Sequence, residues 1–397
     1  MSEEIIRKAT THFEKLVRDQ LSRIEKLKSE PDWLDFSKLE CIYIGVCGGD
    51  GIGPEITKHA ADILAFLLMD EIKSDKVEIR KIDGLTIENR TKVMKAIPDD
   101  VLEELKKCHV ILKGPTTTPR KGDPWPNIES ANVAMRRELD LFANVRPVKV
   151  PEKNIDWIFF RENTEGAYVL GSNGVNVTDD LAFDFKVITN QGSERIIRAA
   201  FQYAKKNKIK KVTVVTKANV VKTTDGKFLA IAEEVAKDYP EVEWDDWYVD
   251  IMTAKLIDPA RASSFKVIVA PNLYGDIITD EAAQLMGGVG TAAGANIGKK
   301  YSMFEAIHGS ALKMVEEGRA KYANPSSIIK AAALLLNHIG FTEKATKLEM
   351  AIDICNEFEK KFVTTGRSNG ATGGEFGNYI SETLKDPKLA EKWRSYQ

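Results

Sequence analysis

The chain has 397 residues, a length that predicts two or three domains. Its 57 lysines and arginines nearly balance 59 aspartates and glutamates, giving a net charge of −2 and no reason to expect a nucleic-acid partner. The composition excludes a mostly disordered protein, and no apolar run reaches the roughly 18 residues that a membrane span needs. The four cysteines have no paired spacing, so we expect reduced thiols and a cytoplasmic location.

The first 30 residues are predicted to form an amphipathic helix that Pro31 ends. Residues spaced by three or four positions describe its apolar face, namely Phe13, Val17, Leu21, Ile24 and Leu27. Acidic residues throughout the segment argue against a secretory signal or a transit peptide. We interpret it as a docking helix, and a frayed, solvated tail is the alternative.

From Glu40 onward, short β-branched runs alternate with amphipathic segments, which predicts an α/β protein whose sheet is covered by helices. Strands are predicted at 41–46, 76–82, 109–112, 157–160, 211–216, 247–249 and 266–270. A helix is predicted to begin at Pro54 and run to about Leu68. Residues 167–189, interrupted by Gly171 and Gly174, predict a small β excursion.

The glycine-rich turn after the first predicted strand does not support a Rossmann fold. Gly49, Gly51 and Gly53 do not keep the G-x-G-x-x-G spacing of a dinucleotide fingerprint. A tight turn, in which glycine permits a positive φ beside a ligand or another strand, is the simpler interpretation.

The segment after the third predicted strand carries polar residues where open α/β sheets bind ligands. It begins with Lys113 and continues through three threonines. Ser130 is then predicted to cap a helix, with Asn132 and Arg136 four positions apart on one helical face. These spacings alone leave a binding site and an ordinary polar surface both open.

Two further arginines, Arg146 and Arg161, are predicted at the starts of the next two strand-like stretches. Together with Arg136 they could hold a polycarboxylate through forked hydrogen bonds. Each alone would be an ordinary surface or ion-paired arginine.

An acidic pair, Asp276 and Asp280, follows the last predicted strand. A helix beginning at Gly275 would point both carboxylates the same way. Either Mg²⁺ or Mn²⁺ neutralises their repulsion, or they favour the helix N-terminus through its dipole.

Taken together, these segments resemble the isocitrate and 3-isopropylmalate dehydrogenase family of metal-dependent β-decarboxylating enzymes. The resemblance covers about residues 40 to 381, and its motifs occur in this order: GDGIGPE, KGPTTTP, SANVAMR, ANVRP, FRENTEGAY, TKAN, NLYGDIITD, GGVGTAAGANIG and FEAIHGSA. The resemblance implies that family's α/β fold, which is not a Rossmann fold. It also implies a large domain from residues 40–142 and 287–397 and a small domain from 143–286 with a β clasp at about 167–189. The predicted helical extension over 1–39 lies outside the resemblance.

The resemblance also assigns roles to residues. The substrate-binding residues would be Lys113, Ser130, Asn132, Arg136, Arg146, Arg161 and Asn219. Tyr168 would donate a proton, and Lys217 would act as the base in the neighbouring subunit's site. Two clasped subunits would therefore share their active sites as a homodimer, and the N-terminal helix could build a higher oligomer.

The implied metal ligands are three aspartates around Mg²⁺ or Mn²⁺. Asp276 and Asp280 would come from the home subunit and Asp250 from the neighbour. The metal would stabilise the alkoxide before hydride transfer and the enolate after CO₂ leaves.

The residues before Arg136 bear on the substrate. Ser130 and Asn132 fit the third carboxylate of isocitrate, which Lys113 could also meet, whereas isopropylmalate enzymes present an apolar surface there. The expected reaction is oxidation of isocitrate to 2-oxoglutarate and CO₂, as in the tricarboxylic acid cycle. Homoisocitrate, longer by one methylene, and 3-isopropylmalate are the alternatives. A non-catalytic regulatory subunit is a further alternative, although the acid, base and metal ligands are all present.

A nicotinamide cofactor is implied, bound by residues that match the family: Thr117, Thr118, His308, Gly309, Lys313, Glu316 and Asn324. The loop that decides between NAD and NADP is three residues longer than the family pattern. Counted from His308, the deciding position holds Lys313, which would bind a 2′-phosphate. Counted back from Asn324, it holds Glu316, followed by another glutamate, which would repel one.

We prefer the backward count for two reasons. Lys313 lacks the tyrosine that follows it in NADP enzymes, and residues 363–367 do not match their second tyrosine and arginine. NAD is therefore predicted, with NADP as the alternative.

Overall fold

The protein is represented by a computed structural model that describes residues 2–28, 32–120, 122–170, 173–288 and 292–396. The chain divides into two compact units: unit one comprises Met1–Asp32 and Phe142–Leu285, and unit two comprises Trp33–Leu141 and Met286–Gln397. Pro31, Gly171 and part of the GGVGTAAGANIG motif lie outside the described residues.

The strands of the described residues, in chain order, are β1 Ile42–Cys47, β2 Val77–Lys81, β3 Val110–Lys113, β4 Ala143–Val150, β5 Ile155–Glu162, β6 Val175–Thr178, β7 Leu181–Phe183, β8 Lys211–Thr216, β9 Glu243–Tyr248, β10 Val267–Ala270, β11 Ala293–Ile297 and β12 Ser302–Ala306.

The α-helices are α1 Ser2–Lys28, α2 Gly53–Leu67, α3 Met69–Lys73, α4 Ile87–Lys92, α5 Asp99–Lys106, α6 Ala131–Glu138, α7 Asn190–Lys206, α8 Thr224–Ala236, α9 Val249–Leu256, α10 Asn272–Leu285, α11 Leu312–Glu316, α12 Ser326–His338, α13 Thr342–Asp353, α14 Gly373–Leu384 and α15 Leu389–Arg394. No helix of the described chain combines the length and the apolarity needed to cross a membrane.

In unit one the main strands are ordered β4-β5-β10-β8-β9. The pair β4–β5 is antiparallel, and the other neighbours are parallel. Because Arg161 of β5 lies opposite Ala270 of β10, the carboxyl ends of these two strands meet at one edge. Helix α10 begins just beyond that edge and packs against β5.

Unit one also contains an antiparallel hairpin formed by β6 and β7. The hairpin confirms the predicted β excursion, and its β7 residues are all exposed. Helix α1 packs against β6 and α7.

In unit two the strands are ordered β2-β1-β3-β12-β11, with only the last pair antiparallel. Lys113 of β3 lies opposite Glu305 of β12 in the parallel register. Helix α12 packs on β12 and between α2 and α13. Most of its apolar side chains are buried, so α12 contributes to the core of this unit.

The glycine turn between β1 and α2 has the conformation that its sequence predicts. Gly49 and Gly51 have φ values of 73° and 60°. A Cβ at Gly49 would lie 2.2 Å from the carbonyl oxygen of Pro115, and one at Gly51 would lie 2.0 Å from that of Ser310. Glycine is therefore required both by the backbone angle and by the close approach of the neighbouring loops.

The α/β class is confirmed, and every strand predicted from the sequence overlaps an observed one. Strands β11 and β12 were not predicted, and the Ala-Gly-Ala-Asn-Ile sequence of β11 has few β-forming side chains. Arg146 lies in the middle of β4, and Arg161 lies near the end of β5. Both arginines were wrongly expected at strand starts, because β4 begins at Ala143 and β5 at Ile155, ahead of each arginine.

The predicted apolar face of α1 is wrong in part. Phe13, Val17 and Leu21 are 46%, 39% and 58% exposed, whereas Leu16, outside that face, is buried. The side that packs on unit one also carries His12 and Arg23, which are partly buried. Spacing alone identifies a stripe but not the side on which a helix finds its partner.

A buried arginine in unit two, Arg90, organises the loops around the glycine turn. Its guanidinium donates to the carbonyl oxygens of Ala96 at 2.8 Å, Thr117 at 2.8 Å and Glu129 at 3.0 Å. It also lies 3.9 Å from the carboxylate of Asp50. That carboxylate accepts the backbone N–H of Thr117 at 2.7 Å, so Arg90 and Asp50 together fix the loop that follows β3.

We expect Arg90→Met to destabilise the protein by about 3 kcal/mol, because three buried carbonyls lose their donor and Asp50 loses its cation. The urea midpoint of unfolding measures this. Arg137→Met is the matched control: the Arg137 side chain is 53% exposed and pairs with Glu129, so its loss should cost less than about 1 kcal/mol. Equal shifts in the two variants would contradict the assignment.

Candidate active site

In unit one, two arginines and two aspartates form a compact group, which we call the Arg–Asp cluster: Arg146, Arg161, Asp276 and Asp280. Arg146 of β4 donates to Asp280 at 2.9 Å and lies 3.7 Å from Asp276. Arg161 of β5 donates to the same Asp276 carboxylate. The mutual repulsion of the two carboxylates is therefore relieved by cations of the chain itself.

Helix α10 does not begin at Gly275, as expected, but at Asn272. Asp276 consequently lies beyond the first turn, and the suggestion that the aspartates serve the helix dipole is wrong. Glycine is required at position 275 because of a close contact: a Cβ there would lie 2.6 Å from Cγ of Arg161. The glycine lets the buried arginine cross the helix at close range.

Arg161 is held in one orientation by further contacts. Its Nε and Nη2 donate to Oδ1 of Asn272 at 3.0 and 2.7 Å, and its side chain is almost completely buried. The hydroxyl of Tyr168 donates to Asp276 at 3.0 Å. A phenol and a guanidinium thus share one carboxylate, which places a proton donor beside a group able to bind an anion.

A second pair in unit one joins Lys217 and Asp250, whose Nζ and Oδ1 lie 2.5 Å apart. The Lys217 ammonium, by donating this hydrogen bond, lowers the pKa of Asp250 below its usual range. The backbone N–H of Lys217 donates to the buried Asp225 at 2.8 Å, and this contact fixes the start of the turn that follows β8. Asn219, two residues on, is exposed.

The three aspartates predicted to share a metal therefore lie in two groups. Asp276 and Asp280 pair with arginines, whereas Asp250 pairs with Lys217. Within the described ranges, no three His, Cys, Asp or Glu side chains come together in a way that could hold a metal.

In unit two, Lys113 and Arg136 contact Glu305, a residue that was not predicted from the sequence. Lys113 Nζ lies 3.1 Å and Arg136 Nη2 lies 3.5 Å from the carboxylate of Glu305, which also accepts a hydrogen bond from Asn296 at 2.8 Å. Burial alone would raise the pKa of Glu305, but the two cations outweigh it and lower the pKa below its usual range. A single acid inside the apolar strand β12 was the signal that could have identified it.

The residues near the start of α6 are arranged partly as expected. Ser130 occupies the N-cap position, but its hydroxyl makes no capping hydrogen bond. Oδ1 of Asn132 accepts from the hydroxyl of Thr116 at 3.1 Å. Thr117 is buried, with its hydroxyl 2.7 Å from that of Ser310, while Thr118 is exposed.

The predicted cofactor loop contains a basic residue that the sequence reasoning missed, Arg319. It donates to the carboxylate of Glu317 and to the carbonyl oxygen of Gly366, and this pairing lowers the pKa of Glu317. Lys313 is 83% exposed, with Nζ 3.9 Å from Glu317. Glu316 is exposed.

The other predicted cofactor residues make short local contacts. Nδ1 of His308 lies 3.0 Å from the carbonyl oxygen of Gly309, and burial lowers the pKa of His308. Oδ1 of Asn324 accepts the backbone N–H of Ser326 at 2.8 Å.

The chain is similar to known proteins of one family. A family model described as isocitrate/isopropylmalate dehydrogenase matches residues 43–372. The chain is 38% identical over 358 residues to a homoisocitrate dehydrogenase of Methanocaldococcus jannaschii, covering 86% of this chain and 98% of the relative. It is 40% identical over 322 residues to an NADP isocitrate dehydrogenase of Rickettsia prowazekii, covering 78% of this chain and 62% of that relative.

A solved structure is also similar. The crystal structure of isocitrate dehydrogenase from Methylococcus capsulatus matches with a TM-score of 0.74 and 35% identity. The match covers 87% of this chain and all of the other.

We expect Glu305→Gln to lower stability by about 3 kcal/mol at pH 7, because Lys113 loses its buried partner. A carboxyl with a lowered pKa stabilises the folded state above its ordinary value of 4.5, and this contribution is lost as the pH falls through the folded value. The difference between parent and variant should therefore shrink from pH 7 to pH 3.5 in urea unfolding. A difference that stays constant with pH would contradict the charge assignment.

Proposed function

Because the chain belongs to the isocitrate/isopropylmalate dehydrogenase family, we propose that it oxidatively decarboxylates isocitrate to 2-oxoglutarate and CO₂ with a divalent metal ion and a nicotinamide cofactor. The Arg–Asp cluster is the observation that carries this proposal. It combines two guanidiniums suited to carboxylates, two carboxylates suited to a hard cation, and the hydroxyl of Tyr168 on one of them. Unit one would correspond to the small domain of the family and unit two to the large one.

The proposed metal ligands fit the chemistry of Mg²⁺ or Mn²⁺, which prefer oxygen donors. Asp276 and Asp280 are 34% and 58% exposed, so both carboxylates are accessible to an ion. Asp250 would complete the set from a second copy of the chain. Binding would require the aspartates to exchange their arginine partners for the cation, while the arginines turn to the substrate's carboxylates.

The reaction is divided among residues as follows. Arg146 and Arg161, with Arg136, would bind the carboxylates and orient the substrate. Lys217 would accept the proton of the substrate hydroxyl. When bound, the metal ion supplies charge stabilisation and the nicotinamide accepts the hydride. After CO₂ leaves, Tyr168 would return a proton to the carbon that carried it.

Isocitrate is proposed over 3-isopropylmalate because Ser130 and Asn132 are polar. The Ser130 hydroxyl makes no capping hydrogen bond to α6, so it is available to a substrate. Homoisocitrate is the main alternative, since one methylene discriminates by only about 1–3 kcal/mol and one relative bears that name.

A turnover assay on the full chain tests the proposal. Isocitrate, homoisocitrate and 3-isopropylmalate are each offered with NAD and with NADP, with Mn²⁺ or after exhaustive chelation. We expect the highest kcat/KM with isocitrate, no turnover after chelation, and a loss of more than about 100-fold in Asp280→Asn. Ligand binding without turnover would instead indicate a regulatory subunit.

Ser130→Glu tests whether Ser130 contacts the substrate. We expect it to lower kcat/KM for isocitrate at least about 100-fold, because a carboxylate there repels the substrate's own. Ser395→Glu, at an exposed position, is the matched control and should change nothing. Parental activity in Ser130→Glu would place this residue away from the substrate.

We expect two inactive chains to complement each other. Tyr168→Phe and Lys217→Ala should each be inactive alone. If Lys217 serves the neighbouring subunit, a mixed dimer holds one intact site and one doubly altered site, so activity should reappear at up to half of the parental value per mixed dimer. Absence of complementation despite demonstrated subunit exchange would refute the shared site.

NAD is proposed as the cofactor because two acidic side chains lie at the end of α11, Glu316 as its last residue and Glu317 directly after it. We expect kcat/KM to favour NAD, and Glu316→Ala to reduce the NAD-to-NADP ratio by about tenfold, since an acid excludes the 2′-phosphate. Lys313→Ala is the matched control and should leave the ratio unchanged. An NADP preference that collapses in Lys313→Ala would mean that the loop aligns from His308 instead.

A further inference from the structure

Helix α1 lies outside residues 43–372, to which the family model matches, yet it is attached to unit one at three points. Nε2 of His12 lies 3.0 Å from the carbonyl oxygen of Asn173. The rings of Phe13 and Phe185 are 5.1 Å apart. Asn173 and Phe185 precede and follow the β6–β7 hairpin, so the helix holds the hairpin at both ends.

The third contact is an ion pair with a fully buried acid. Nη1 of Arg23 lies 2.9 Å from Oε1 of Glu165, whose side chain is completely buried, while Arg23 is 22% exposed. Nη2 of Arg23 also reaches the hydroxyl of Thr164 at 3.5 Å. A buried carboxylate needs such a partner, because ionisation away from water is otherwise costly.

The surroundings of Glu165 make this need acute. A second buried acid, Glu162, lies beside it, and burial together with the charge of Glu165 raises the pKa of Glu162 to about 7. The backbone and hydroxyl of Thr189 donate to Glu165. A Cβ at Gly192 would lie 2.2 Å from the Glu165 carboxyl carbon, so the acid is tightly enclosed and has little room to reorient.

The same segment leads to the Arg–Asp cluster. The backbone carbonyl oxygen of Glu165 accepts a hydrogen bond from Nδ2 of Asn272 at 3.0 Å. Oδ1 of Asn272 in turn orients Arg161. Tyr168 follows Glu165 by three residues and bonds Asp276. A chain of direct contacts therefore runs from α1 to the proposed proton donor.

We propose that Arg23 is a positioning residue through which α1 holds residues 162–168 and thereby aligns Tyr168. The catalytic part of this inference rests on the proposed function. The structural part, that Arg23 orders residues 162–170 and 173–189, does not.

Amide hydrogen exchange on the full chain tests the structural part. We expect Arg23→Ala to accelerate exchange within residues 162–170 and 173–189 by about tenfold, because a buried Glu165 that has lost the charge of Arg23 makes local opening easier. Arg23→Lys, which keeps the charge, should restore most of the protection. Arg18→Ala is the matched control: Arg18 is exposed and pairs with Glu14 on the same helix, so exchange should not change.

A charge-removing second variant checks the cause. In Glu165→Gln the acid that requires Arg23 is gone, so adding Arg23→Ala should cause little further acceleration. Unchanged exchange in Arg23→Ala, or additive effects in the double variant, would overturn the proposal.

Kinetics tests the alignment of Tyr168. Arg23→Ala should lower kcat about tenfold and change KM for the substrate less than about twofold, and Arg23→Lys should recover most of kcat. Faster exchange with an unchanged kcat would overturn the positioning role. A parental chain without turnover would instead refute the proposed function, and the exchange data would still decide whether α1 orders this segment.

Discussion

A charge that folding removes from water needs partners of opposite charge or, for a cation, hydrogen-bond acceptors and, for an anion, donors, and this constraint explains the contacts of the buried charged residues in both units. Arg161 is the strictest case, since its guanidinium is almost wholly buried and finds Asn272 and Asp276 on a single helix. To bring them there, α10 must begin at Asn272 and carry a glycine at position 275. One arginine thus dictates the start of the helix, its glycine and the direction of its carboxylates.

The same constraint suits the cluster to a change of partners. The two arginines and two aspartates neutralise one another. A substrate with several carboxylates and a divalent cation together offer each of these groups a new partner of the correct sign, so neither ligand leaves an unpaired charge behind when both are bound. A cation alone would have to displace the arginines without offering them an anion. This reasoning favours tighter binding of metal and substrate together than of either one alone.

Short motifs predicted the α/β class, the family and most strands, because each is a local pattern that the chain can form only in a few ways. What they could not predict depends on contacts between distant segments. Glu305 lies between Lys113 and Arg136 only because β12 pairs with β3 in the observed register. Likewise, no local pattern reveals that α1 packs on the side of Leu16 and Arg23, since its partner surface is more than 100 residues away in the chain. The site's geometry is therefore a tertiary property, even where each of its residues was named from sequence.

In the predicted cofactor loop, counting residues from its ends does not show which side chains are available to a cofactor. Counting from either end assigns one deciding position, yet the loop is organised by Arg319, which links Glu317 to the segment around Gly366. Glu317 already pairs with Arg319, which partly neutralises its charge. Glu316, by contrast, has its carboxylate at an exposed position of the same turn. A ribose would therefore meet Glu316 as the more available acceptor. A 2′-phosphate would in turn meet Arg319 only by displacing Glu317, so under the proposal of NAD the ion pair would add to the repulsion.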